Sequence, residues 1–296
     1  MIALPRRAWH PPSCRASANL TYMSTHLNAL QRYRRWCPTP LVGVSVVGHA
    51  AAAGLAALRP AVWPWALGAL VVDHAVLAAA GLWPRCSLLG PNLTRLPHAA
   101  AARGEVALTI DDGPDPGVTP LLLDLLDRLG ARVTFFCIGE QVTAQPAIAR
   151  EIIRRGHAIE NHSQRHLHRF SVLGPRAMSM EISSAQTAIS DAVGVAPRFF
   201  RAPAGLRNPF LEPILDRLGL RLASWTRRGF DTVTRQPTAV LRRLVHGLGA
   251  GDILLLHDGN AARTVTGQPV ILEVLPALLD ELNLRHLRPV ILADAI

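Results

Sequence analysis

The sequence predicts an α/β protein, a parallel barrel or doubly wound sheet, preceded by a helical hairpin long enough to cross a membrane. Three observations carry this. From residue 105 onward, short apolar runs alternate with stretches of helical periodicity. Two long stretches before residue 84 carry almost no charge. Basic residues crowd the part of the chain that contains those stretches.

The chain has 296 residues, with 31 basic side chains against 21 acidic ones and a net charge of +10. Every basic side chain is Arg, which excludes Schiff-base and ammonium-base chemistry. Residues 1–100 hold nine Arg and a single acid, Asp73, a net of +8; residues 101–296 hold 22 Arg against 20 acids. No basic run interleaved with aromatics marks a nucleic-acid track, so no nucleic-acid partner is expected. A basic segment, 1–39, in front of apolar stretches suits an anionic membrane lipid surface instead. A mean hydropathy of +0.21 is too high for a disordered chain. Cys14, Cys37, Cys86 and Cys137 show no CxxC spacing, which excludes a zinc ribbon and a disulfide scaffold. Cys137 falls in an apolar run and reads as inert core.

Residues 40–84 read as a two-helix membrane hairpin. Pro40–Leu58 carries no formal charge and 65–83 carries only Asp73; each can span a hydrocarbon core of about 30 Å. Trp63, Trp65 and Trp83 stand where interfacial anchors stand. His49 and Asp73 reach similar depth in an antiparallel pair and are expected to form a hydrogen bond that staples it. Arg32, Arg34 and Arg35 before the first span, and Arg85, Arg95 and Arg103 after the second, outweigh Arg59 in the connector. The positive-inside rule then puts both termini, and the following domain, on the cytoplasmic face of the inner membrane. No signal-peptide apolar core precedes the first span, and Met23 is a second candidate start.

Candidate strands are 106–110, 133–137, 158–160, 199–201, 221–225, 253–256 and 289–292. Candidate helices are 119–129, 147–155, 176–193, 209–218, 238–248 and 271–284, the first two stopped by Gly130 and Gly156. In a barrel, chemistry sits at the carboxyl ends of the strands, and the unusual residues are there. Asp111 and Asp112, followed by Gly113-Pro114, put two repelling carboxylates at one strand end, an arrangement that a cation would relieve. His162 and His166 are spaced i, i+4, which on a helical turn presents both imidazoles to one ion; His168 is the alternative ligand and Ser163 a turn former. Arg201 leaves an apolar strand into Ala202-Pro203-Ala204-Gly205 and can pin a carboxylate. His257, closing a buried apolar run, can donate a proton into the barrel mouth.

The set TIDDGP, HSQRH, RAPAG and LLLHD, in this order and spacing, resembles the polysaccharide deacetylase superfamily. This is the carbohydrate esterase family 4 group of chitin, chitooligosaccharide and peptidoglycan deacetylases. The resemblance covers about residues 104–292, the catalytic domain, and leaves the first hundred out. It implies a distorted (β/α)7-type barrel and a metal-dependent hydrolase that removes N-acetyl groups from an amino sugar in a glycan or lipid-linked saccharide. It further implies that Asp112, His162 and His166 hold a divalent metal, most commonly Zn2+. Asp111 would be the general base, Arg201 would orient it and keep it charged, and His257 would be the general acid. The backbone N–H of Ala204 would receive the developing oxyanion, and Trp225 with Leu255 would wall the acetyl pocket. A related amidohydrolase acting on a non-sugar amide or formamide is the alternative, and a non-catalytic binding protein a third class.

The chain departs from the family pattern at two places. An aromatic residue is usual at Ala204, and an acid-rich motif is usual where Ser224-Trp225-Thr226-Arg227-Arg228-Gly229-Phe230-Asp231 stands. Asp231 is the candidate partner for His257. Arg227 and Arg228 are either a solvated pair or a site for a phosphate or carboxylate on the substrate.

Overall fold

A computed structural model describes residues 36–296; most of the basic segment, with Cys14 and Met23, lies outside the described residues. Residues Cys37–Ile296 form one compact unit. Helix α1, Pro40–Leu58, starts at Thr39, whose side chain accepts the Val42 N–H, with Pro40 preset for the first turn. It stops before Pro60, and a short 3₁₀ turn, Pro60–Val62, leads into α2, Trp63–Leu82. Both helices are long and apolar enough to cross a membrane, and little of either is buried by the rest of the chain. Large apolar side chains such as Val44, Val47, Trp65 and Val71 are exposed.

The expected His49–Asp73 hydrogen bond is not formed. Ser45 Oγ donates to Asp73 Oδ2 at 2.7 Å, and His49 Nδ1 donates instead to the Ser45 carbonyl at 2.8 Å. His49 lies 3.9 Å from the carboxylate because the i−4 carbonyl of its own helix captures the ring N–H first. A polar clasp between the two helices exists, with Ser45 as the donor.

After a short helix α3, His98–Ala102, the barrel elements follow. They are β1 Glu105–Asp111, α4 Thr119–Arg128, β2 Thr134–Cys137, α5 Gly139–Ala144, α6 Pro146–Arg154, β3 Ala158–Asn161, α7 Pro175–Val193, β4 Phe199–Phe200 and α8 Leu211–Leu218. The chain continues through β5 Arg221–Leu222, β6 Arg227–Arg228, α9 Pro237–Val245, β7 Ile253–His257, α10 Val270–Leu284 and β8 Arg288–Val290. The sheet is parallel, in the order β5-β4-β3-β2-β1-β7-β6, with β8 also paired to β1. The α/β class is as expected, and β6 is a strand beyond the seven expected. The expected strand 221–225 breaks after Leu222, because residues 223–226 carry the chain from one sheet edge to the other. The Ala223 N–H donates to the Phe200 carbonyl on one side and the Thr226 N–H to the Ile253 carbonyl on the other, which draws the distorted barrel together.

Strand alternation sorts the core into two layers. Val106, Leu108 and Ile110 of β1, with Leu254 and Leu256 of β7, pack outward on α4 and α10 against Leu122, Leu126 and Leu278. Ala107 of β1, Phe136 of β2, Phe199 of β4 and Ile253 and Leu255 of β7 pack in the second cluster, inside the barrel, with Leu96 and Ala100 of the preceding segment. The same period turns Asp111 and His257 inward, and the two are register partners in adjacent strands.

Candidate active site

Asp111 ends β1 facing inward, and its Oδ1 accepts from Arg201 Nη1 at 2.6 Å. Arg201 is fully buried and three more of its donors are spent on the frame. Nη1 also donates to Thr109 Oγ1 at 2.8 Å, Nη2 to the Ser224 carbonyl at 2.9 Å and Nε to the Ala223 carbonyl at 3.2 Å. Its guanidinium lies over the Phe136 ring, 4.0 Å from the centroid. Arg201 therefore ties Asp111 to the strip that draws the barrel together.

Asp112 turns the other way. Its φ of 77° is left-handed, so the next carboxylate swings across to the β3 loop. The turn fits only because Gly113 and Gly259 lack side chains. A Cβ on Gly113 would sit 2.3 Å from Asp258 Oδ2, and one on Gly259 2.5 Å from the Asp112 carbonyl. Asp258 is buried beneath, accepts from Thr119 Oγ1 at 2.5 Å, and is pushed up to about 7 chiefly by burial.

His162 and His166 do not lie on a helical turn. Residues 162–167 form an irregular loop in which Ser163 (φ 64°) and His166 (φ 51°) are both left-handed. Asn161 Oδ1 accepts the Ser163 N–H at 2.9 Å, and Ser163 Oγ accepts the His166 N–H at 3.1 Å, so Ser163 is the turn former expected. The two bends bring the imidazoles together, 4.8 Å between ring centroids. His168 stays outside this group, its ring 6.4 Å from that of His166.

Asp112 Oδ1 lies 3.3 Å from His162 Nε2 and 3.4 Å from His166 Nε2. These side chains are one of two groups among the described residues whose ligand atoms all fall within 4.8 Å; the other is His49, Asp73 and His74 on the hairpin. A divalent cation fits the buried group on three counts. Asp112 Oδ1 is buried and accepts no hydrogen bond. His162 Nδ1 donates to the Arg201 carbonyl at 2.8 Å, which leaves the Nε2 lone pair for a ligand. Burial pushes His166 down to about 4, which favours the neutral imidazole that a metal ligand has to be. Burial works against the Asp112 carboxylate, yet the closeness of the His162 ring, with His257 and His166 around it, holds its pKa well below the usual range.

His257 is held twice by Asp231. Its backbone N–H donates to Oδ2 at 2.7 Å, and its Nδ1 donates to Oδ1 at 2.9 Å. Burial alone would lower its pKa; the Asp231 bond and the charges of Asp231, Asp111 and Asp112 reverse this and raise it. Asp111, Asp112, His162, His166, His257, Ala204, Trp225 and Leu255 all line one cavity of about 490 Å³, within the usual size of a small-ligand site. Ala204 is left-handed there, with a φ of 54°, and the Trp225 ring meets Gly205 so closely that a Cβ would lie 2.6 Å from it.

Arg227 and Arg228 separate. Arg227 donates through Nε to the buried Asp252 at 2.9 Å and through its other nitrogens to the carbonyls of His246 and Gly247, so the expected substrate contact is not available to it. Arg228 faces the cavity. Residues the sequence did not single out are Asn260, whose Nδ2 donates to Asp112 Oδ2 at 3.3 Å, and Thr109, which braces Arg201. The inward register of Thr109, two residues before Asp111, was the available signal; Asn260 had none.

The polysaccharide deacetylase family model matches residues 98–223. A peptidoglycan-N-acetylglucosamine deacetylase of Bacillus cereus is 33% identical over 175 residues, which cover 58% of this chain and 81% of that protein. The chain belongs to the polysaccharide deacetylase family. As a member of it, the protein is a hydrolase of amide bonds. A chitooligosaccharide deacetylase of Azorhizobium caulinodans is 33% identical over 158 residues, covering 53% of this chain and 75% of that one. The structure of a family 4 carbohydrate esterase from Streptomyces lividans, in complex with acetate, superposes with a TM-score of 0.57 at 32% identity, over 63% of this chain and 91% of that one.

Proposed function

We propose that this polysaccharide deacetylase removes the acetyl group from N-acetylglucosamine units of a glycan or lipid-linked saccharide, with a divalent metal, Zn2+ by the ligand chemistry, held by Asp112, His162 and His166. One observation carries the reading. Two adjacent carboxylates take different partners, Asp112 the two imidazoles and Asp111 the Arg201 guanidinium, in one cavity. Such a metal supplies Lewis acidity, polarising the amide carbonyl and making water acidic enough to attack near neutral pH.

The chain's own residues do the rest. Asp111, oriented by Arg201, accepts the proton of the attacking water. The Ala204 N–H receives charge that develops on the carbonyl oxygen. Trp225 and Leu255 enclose the acetyl methyl group. An amide nitrogen cannot leave as an anion, so His257 protonates it, its ring fixed by Asp231. His257 must be protonated for this step, so the rate falls as pH rises through its raised pKa. Asp231→Asn removes the carboxylate that raises that pKa. The alkaline limb of kcat/KM then moves to lower pH; a limb that stays in place would remove Asp231 from the account.

The catalytic barrel, residues 104–292, is attached to the inner membrane by the 40–84 hairpin, whose exposed apolar faces match lipid. Pro84, two residues beyond α2, packs at Gly205 beside Trp225, so the hairpin end adjoins the cavity. This supports a substrate presented at the membrane. The arginine distribution favours the cytoplasmic face, which a reporter fused after residue 296 tests. The function itself is tested with the full chain in detergent, given N-acetylated chitooligosaccharide and peptidoglycan fragments. Acetate release that stops with chelator is expected, and none from any acetamido sugar would overturn it.

A further inference from the structure

We propose that Arg228 makes this cavity select an acetamido sugar that carries an oxyanion, a phosphate or a carboxylate. The inference rests on the deacetylase reading and concerns which sugar enters. Arg228 sits on β6 in register with Leu255 of β7, and both side chains line the cavity that holds Asp111 and His257. Its guanidinium lies beside two rings, 5.4 Å from the Trp225 centroid and 5.0 Å from that of Phe230. Its Nε is buried without a hydrogen-bond partner, and no carboxylate of the described residues lies within ion-pair distance.

The neighbouring arginine shows what a structural role looks like in this strand. Arg227 is saturated by Asp252 and two carbonyls. Arg228 has aromatic neighbours, the buried Trp225 among them, and vacant donors, the arrangement that suits bidentate recognition of a planar carboxylate or a phosphate. The field around it agrees. Among the described residues the cavity lining offers only Asp111 and Asp112 as carboxylates, and both are engaged, while Arg165, whose guanidinium pairs with Glu181, and His168 stand at the same cavity. A cation partly out of water without a counter-charge is costly, and an oxyanion on the bound sugar would supply one. A planar guanidinium also loses little freedom on binding.

The test uses full-length protein in detergent with Zn2+ and three probes: N-acetylglucosamine oligomers, N-acetylglucosamine 1-phosphate and N-acetylmuramic acid. Wild-type protein is expected to favour one of the anionic sugars over the neutral one in kcat/KM, and the favoured one identifies phosphate or carboxylate. Arg228→Gln should reduce the anionic-to-neutral ratio about 10- to 100-fold, chiefly through KM, the range of one bidentate charged contact. Arg228→Lys should restore part of the ratio. If Arg228 merely props Trp225, both rates fall together and the ratio stays, which overturns the proposal. A wild-type protein with no anionic preference overturns it without any variant. Hydrolysis of none of the probes would instead sink the deacetylase reading on which the inference stands.

Discussion

Asp111→Asn is expected to lower the turnover number for acetate release by about 10³-fold while leaving metal content at one ion per chain. A well-placed general base contributes roughly 10²–10⁴-fold, and Asn keeps the shape and an acceptor for Arg201 while losing the ability to take a proton. The metal should stay because Asp111 lies outside the Asp112, His162 and His166 group; its Oδ2 is 3.7 Å from His162 Nε2. Asp112→Asn gives the opposite order of loss, metal first and activity with it. The pair of variants separates two adjacent carboxylates that composition makes identical. Activity within tenfold of wild type in Asp111→Asn, or loss of the ion from it, would refute the division of labour.

Arg201→Met should cost about 3–5 kcal/mol of stability, because it strands the buried Asp111 charge that the guanidinium balances. The carbonyls of Ala223 and Ser224 lose donors in the same step. In a domain of this size the loss lowers the melting midpoint by roughly 10 °C. Arg154→Met, which breaks an exposed, solvent-screened pair with Glu151, is the control and should leave the melting midpoint nearly unchanged. Adding Asp111→Leu to Arg201→Met removes the stranded charge and should return much of the loss. An Arg201→Met protein as stable as the Arg154→Met control would show that the buried ion pair is not what holds the strip to the strand ends.

The barrel was legible because its strands are short and buried on both faces, so apolar runs such as 106–110 and 253–256 stand out against amphipathic helices. The site was legible because Asp111, Asp112, Arg201 and His257 each follow such a run directly, where strand geometry leaves little choice of direction. What depended on three-dimensional contact was not. His162 and His166 have helical spacing, yet two left-handed residues bring them together, and the Asn161 and Ser163 side chains that favour those bends read as ordinary loop polarity. β6 was missed because two Arg in succession look like a solvated turn until Asp252 and the aromatic pair are seen around them. Ser45 escaped as the Asp73 partner because a lone Ser in an apolar helix usually bonds its own backbone.

Amide hydrolysis should depend on an ion held by Asp112, His162 and His166. The most direct test is to strip full-length protein with chelator and follow acetate release from N-acetylated chitooligosaccharide as Zn2+ is returned. Almost no activity is expected at zero Zn2+, with full recovery that saturates at one ion per chain. Undiminished hydrolysis by the stripped protein would contradict it.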